Sequence, residues 1–202
     1  MKNLNTIGIL FVVLIVIISL NFYHFSESLE LKCIISDLDG KKYCVRDRKK
    51  LKESADMLAR TTGNCRKLVD HLVEKYGDED ERVFRLRTRF KADKVYEILP
   101  TSKFTAYSEN KGEKLAFCLN TTKKGEERID QNTLQFVAFH ELAHIATLSI
   151  GHTEEFWRNF QFLLKEAEEI GVYQVVNYKE NPVEYCGMTI NSSPYFRKNK
   201  EV

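Results

Sequence analysis

His140-Glu141-Leu142-Ala143-His144 places two imidazoles four residues apart with a carboxylate next to the first. On a helix a four-residue step turns about 400°, so His140 and His144 lie on one face and can share a single metal ion. Glu141 is offset by about 100°, turned away from the ligand pair and toward a water in the metal's open position. The chemistry that this spacing supports is hydrolysis. Zn2+ is the expected cofactor, and Glu141 the expected general base acting on a zinc-bound water whose pKa falls to about 7. Two histidines and a glutamate would be costly to bury in an apolar helix without partners, and metal ligation supplies them.

A catalytic zinc site needs a third protein ligand. His152 is the expected one, since it follows His144 after seven residues and stands just beyond Gly151, where the chain can reverse. If each ligand's Cα lies ~6 Å from the metal, the two Cα atoms must be within ~12 Å, which eight residues of straight helix already cover. The helix is therefore expected to bend or stop before Ile150. A carboxylate from the following helix, Glu155 or Glu166, is the alternative. Tyr185, within Pro182-Val183-Glu184-Tyr185-Cys186-Gly187-Met188, is the candidate catalytic donor to the developing oxyanion, core packing being the other reading. Cys186 either pairs with Cys118 or lies near the metal.

The elements that must position these groups follow from periodicity. Apolar residues recur at helical spacing from Arg48 to Tyr76, with Gly77 as the stop and Gly63 as a potential break. Asp130 caps the motif helix, which is apolar around most of its circumference and so expected to be buried. Thr153 caps a further helix to about Glu169, ended by Gly171. Leu31 to Val45 reads as a hairpin turning at Asp39-Gly40, with Cys33 and Cys44 on opposite arms, either bridged or as free thiols. Phe104 to Leu119 reads as a second hairpin with Asn110-Lys111-Gly112 as its turn. Val83 to Phe90 alternates apolar residues with Arg85, Arg87 and Arg89, the pattern of a strand with one wet face. That arginine face reads as solvated surface, with phosphate or lipid-headgroup binding the alternative.

Ile7 to Tyr23 forms an apolar run of 17 residues without a charge, read as a single-pass membrane anchor, with a cleaved signal peptide as the rival. On this reading residues 1–25 are the anchor, 26–47 a hairpin and linker, 48–190 the catalytic domain and 191–202 a polar tail. The catalytic domain is expected on the non-cytosolic side of a virion or host membrane, a placement that the sequons at Asn120 and Asn191 and the five cysteines permit. The 31 Lys and Arg nearly balance the 29 Asp and Glu, so nucleic acid is not an expected partner. A protein or peptide substrate and a membrane are.

Residues 137 to 157, VAFHELAHIATLSIGHTEEFW, resemble the WLM and SprT-like zinc metallopeptidases, in which HExxH is followed by a third His and then x-x-x-Phe, places filled here by His152 and Phe156. The run from Asp37-Leu38-Asp39-Gly40 through Asn110-Lys111-Gly112-Glu113-Lys114, Phe117-Cys118-Leu119 and Tyr185-Cys186-Gly187-Met188 is similar to predicted metallopeptidases of large DNA viruses. The resemblance implies an α+β fold: a compact zincin-like domain with a small antiparallel sheet packed on the HExxH helix. It also implies an edge strand near Lys114 to Leu119 that aligns a substrate peptide by strand addition. Here the gap to the third His is longer than in better-known WLM members, and the apolar N-terminus is an addition to them. The leading expectation is a zinc-dependent endopeptidase acting on a protein near a membrane. The alternatives are a membrane or virion structural protein that keeps a zinc site, and a DNA–protein crosslink repair protease whose arginines grip phosphate.

Overall fold

Local signals set the ends of the long helices. In the computed structural model, which describes residues 2–28 and 31–197, α1 (Lys2–Ser28) is followed by strands β1 (Leu31–Ile35) and β2 (Lys42–Arg46) and by helices α2 (Leu51–Tyr76) and α3 (Glu81–Arg89). Then come β3 (Val95–Glu97), β4 (Ala106–Glu109), β5 (Lys114–Phe117), α4 (Gln131–Ala146), α5 (Glu154–Glu169), β6 (Val183–Tyr185) and β7 (Met188–Ile190), with a 3-10 turn at Pro194–Phe196. The Asp130 carboxylate accepts the Thr133 N–H to start α4, and the Thr153 hydroxyl accepts the Phe156 N–H to start α5. Gly77 closes α2 at φ 67°, and the helix runs unbroken through Gly63.

Two expectations about the sheet are corrected. Its five strands run in the order β1-β2-β3-β5-β4, with β2 parallel to β3 and β3 parallel to β5, so the sheet is mixed rather than antiparallel. The cause is β3, a three-residue strand that enters between the two hairpins after the long crossover through α2 and α3. Consequently β5 is interior, and the edges of the sheet are β1 and, beside β5, β4. The first hairpin is part of this sheet rather than a linker, with Tyr43 and Val45 in the core. Its Cys33 and Cys44 are bridged.

The segment read as an arginine-faced strand is helix α3, whose buried residues Val83 and Leu86 are three apart, as one face of a helix requires. Two of the three arginines read as a face are engaged with acids: Arg85 with Glu81 at 3.0 Å and Arg87 with Asp78 at 2.7 Å.

The membrane anchor and the single-pass, non-cytosolic placement are also overturned. The apolar run in α1 extends only about 26 Å at 1.5 Å per residue against a hydrocarbon core of about 30 Å. No helix among the described residues is long and apolar enough to cross a membrane. Of the two sequons, Asn120 is fully buried in the folded chain, which leaves only Asn191 accessible. Positions 198–202 of the tail lie outside the described residues.

The core lies between the sheet and α2, α4 and α5, and α4 is its centre: Leu134, Ala138, Phe139, Leu142, Ala143 and Ile145 are all fully buried. A helix covered on nearly every side is a rigid platform for whatever it presents to the cleft.

Candidate metal centre

His140 and His144 project from α4 into a cleft of about 560 Å³, and His152 enters it from the turn before α5. α4 stops at Ala146, and Gly151, at φ 85°, reverses the chain. The three imidazoles form a triangle whose ring centroids are 4.9 Å apart on every side. His140 Nε2 and His152 Nε2 are 3.0 Å apart, and one nitrogen from each of the three rings lies within 4.8 Å of the others. Tetrahedral ligands at ~2.05 Å from zinc would stand ~3.3 Å apart, so the donor set fits such an ion with small adjustment. Phe156 packs against all three rings, at centroid distances of 4.9, 4.3 and 4.7 Å for His140, His144 and His152.

Electrostatics favours the ligating form. Burial first, then neighbouring imidazoles, lowers His140 to about 3 and His144 to about 4, so both are neutral near pH 7. Glu141, buried in the same cleft, is raised to about 8 by desolvation, opposed by a hydrogen bond from the Ser108 backbone N–H. A carboxyl poised near neutrality is suited to taking a proton and returning it.

The carboxylates weighed as third ligands are engaged elsewhere. Glu155 accepts the backbone N–H groups of Leu148 at 2.8 Å and Ser149 at 3.1 Å. Glu166 bonds to α2, taking His71 at 3.1 Å, Lys75 at 3.0 Å and Tyr76 at 2.6 Å. His71, Glu166 and Glu169 form a second grouping of metal-capable side chains, but the Lys75 ammonium, 2.7 Å from Glu169, already supplies its cation.

Tyr185 lines the cleft, fully buried, and its hydroxyl donates to the Thr105 carbonyl at 3.0 Å. Cys186 is bonded to Cys118 rather than standing at the metal position, which ties the β6–β7 hairpin to the end of β5. The remaining wall is β4. Its pairing places Tyr107 opposite Ala116, and Thr105 O accepts the Cys118 N–H at 3.0 Å. By antiparallel alternation, Ala106 and Ser108 turn their backbone groups away from β5 toward the cleft, as the Ser108 contact to Glu141 requires. The adjoining rim is apolar, with Phe104, Ile150 and Met188 exposed around it. The spacing of residues gave no sign of Ser108, whose backbone N–H meets Glu141, of Lys111, which bonds carbonyls 36 to 38 residues on, or of Glu155 as an acceptor for the turn before it.

The WLM domain family matches residues 80–201. The uncharacterized protein R325 of Acanthamoeba polyphaga mimivirus is 31% identical over 182 residues, which cover 88% of this chain and 92% of that protein. The uncharacterized protein 136R of Invertebrate iridescent virus 6 is 39% identical over 57 residues, 28% of this chain and 32% of its own. Among solved structures, Wss1 from Saccharomyces cerevisiae aligns with 62% of this chain and 86% of its own, at 16% identity and a TM-score of 0.47.

Proposed function

The chain belongs to the WLM domain family, a family of proteases, and on that premise we propose that it is a zinc-dependent endopeptidase in which His140, His144 and His152 hold the metal and Glu141 is the general base. The supporting observation is the equilateral triangle of imidazoles, 4.9 Å on each side, opening onto a cleft that also holds Glu141 and a free strand edge. Zinc, when bound, supplies Lewis acidity, making the attacking water acidic near pH 7 and polarising the scissile carbonyl.

The chain's own groups do the rest. Glu141 takes the proton from the water as it attacks and passes it to the departing amine. Burial raises this carboxyl to about 8 in the metal-free protein, and a divalent cation bound beside it would favour the carboxylate that the base step requires. β4 binds the substrate as an added strand, using the outward backbone groups of Ala106 and the carbonyl of Ser108, whose N–H is held by Glu141, which lays an extended peptide across the imidazole triangle. The Tyr185 hydroxyl, donated to the Thr105 carbonyl, tethers the residue that leads into β4 and so acts on the substrate-binding strand. The catalytic unit is the sheet with α2 to α5 and the β6–β7 hairpin, so the first hairpin is included in it.

A structural protein that merely retains zinc is the weaker reading, because structural sites close with four protein ligands whereas this triangle has three and faces a cleft. The test uses the full chain: bound zinc is measured by elemental analysis, and cleavage of an unfolded protein is compared for wild type and Glu141→Gln. Retained zinc with cleavage reduced about 10²- to 10⁴-fold is expected. Equal cleavage by the two proteins would remove Glu141 from the mechanism.

A further inference from the structure

The segment from Thr147 to Ser149 belongs to no regular element, yet its backbone, with the carbonyl of Ala146 at the end of α4, is fully engaged. Arg85 Nε donates to the Ala146 carbonyl at 2.7 Å. Lys111 Nζ donates to the next three carbonyls in turn, Thr147 at 2.7 Å, Leu148 at 3.1 Å and Ser149 at 3.0 Å. An ammonium has three donors, and all three are used here. From the other side Glu155 accepts the Leu148 and Ser149 N–H groups and the Ser149 hydroxyl, the last at 2.7 Å. Four successive carbonyls thus face two cations, and two successive N–H groups face one carboxylate. Cations suit the carbonyl end of a helix, but three bonds from one lysine go beyond a cap and extend along the path to His152.

The turn that delivers Lys111 is built at some conformational expense. Asn110 and Lys111 adopt φ 47° and 55°, a region that residues with a side chain seldom occupy. Gly112 follows at φ 110°, and a Cβ there would stand 2.8 Å from the Arg89 carbonyl and 2.9 Å from Ile145 Cδ1. The turn is therefore wedged between the end of α3 and α4. Strained backbone that its surroundings over-determine is a recurring mark of functional positions.

The need for such a device is plain from the three imidazoles. Two sit on a buried helix, whereas His152 is exposed and lies in the turn beyond it. A ligand on a free loop must be ordered each time metal binds, which weakens affinity. We propose that Lys111, backed by Arg85 and Glu155, is a positioning residue that fixes the 146–149 turn so that His152 arrives opposite His140 and His144. This inference rests on the zinc reading above.

The test is a double-mutant cycle on the full chain, with zinc alone as the probe and affinity read by competition with a chelator. Lys111→Met should weaken zinc binding about 10- to 100-fold, the range seen when groups that orient a ligand are removed. Glu155→Gln, which keeps the side chain's shape, should weaken it in the same direction. In a His152→Ala background Lys111→Met should have no further effect, because the ligand it positions is gone. Hydrogen exchange of the metal-free protein supplies the second readout: the Leu148 and Ser149 amides should exchange faster in Lys111→Met and in Glu155→Gln. An affinity loss that persists in the His152→Ala background, or unchanged exchange at those amides, overturns the proposal. Wild type that takes up no zinc overturns the zinc reading instead, and the exchange measurement still judges the clamp.

Discussion

Tyr185 illustrates how one atom's partner decides a residue's role. Its hydroxyl lies in the cleft but is bonded to the carbonyl of Thr105, immediately before β4. Thr105 O also accepts the Cys118 N–H, so the strand edge survives loss of the phenol. An oxyanion donor acts on kcat, by about 10²- to 10³-fold on removal, whereas a tether on the substrate-binding strand acts on KM. With the hydroxyl engaged as it is, Tyr185→Phe is expected to raise KM while leaving kcat within about threefold. Steady-state kinetics on one peptide substrate decides this, and a kcat loss near 10²-fold with KM unchanged returns Tyr185 to the oxyanion. At this scale the sequence was informative where chemistry is local. His140, Glu141 and His144 share one turn of helix, and His152 is announced by a glycine at the reversal. Ser108 and Lys111 left no such trace, since only the tertiary fold brings them to Glu141 and to the carbonyls of 147–149, and Glu155 left none because no motif announces a carboxylate that accepts the N–H groups of the turn before it.

Elements bounded by their own caps were legible for the same reason: Asp130, Thr153 and Gly77 mark ends that the chain adopts. α3 was not. Phe84, Leu86 and Phe90 alternate with arginines as a strand would, but the buried pair is Val83 and Leu86, and Phe84 faces solvent. The deciding local signal is Asp80, whose side chain accepts the Arg82 backbone N–H as the N-cap. The Arg82 side chain, before any other cause, holds the Asp80 carboxyl below its usual value. Because the folded pKa lies under the unfolded one, the stability from this cap is fully present above about pH 3.9 and is lost as pH falls through the lower folded value. Asp80→Asn keeps the cap's geometry and removes that titration. Thermal melts of the metal-free protein from pH 2 to 7 should therefore show a shallower acid slope for Asp80→Asn. Asp80→Ala should lose about 1 kcal/mol at neutral pH. Identical acid slopes in wild type and Asp80→Asn would mean that the Arg82–Asp80 pair adds nothing to the stability of α3.

Across the whole molecule the sequence conveyed least, because strand order is set by contacts far apart along the chain. The three residues of β3 are too few to show a period, yet they make the sheet mixed and put β4, not β5, at an edge. The apolar N-terminus was plain to see, but its length falls short of a span, and the membrane placement falls with it. The zinc reading also has a consequence at this scale. The triangle joins a core helix to the turn entering α5, which the unfolded chain cannot reproduce, so zinc binding must appear as folding stability. At free zinc 100 times its dissociation constant the gain is about 2.7 kcal/mol. For a domain of this size that is an upward shift of about 5–11 °C in Tm. Scanning calorimetry with zinc and with excess chelator should show this shift in wild type and equally in Glu141→Gln, which removes the base but no ligand. His140→Ala should abolish it. A wild-type Tm that is the same with zinc and with chelator would mean that the three imidazoles, close as they are, do not bind a metal in the folded state.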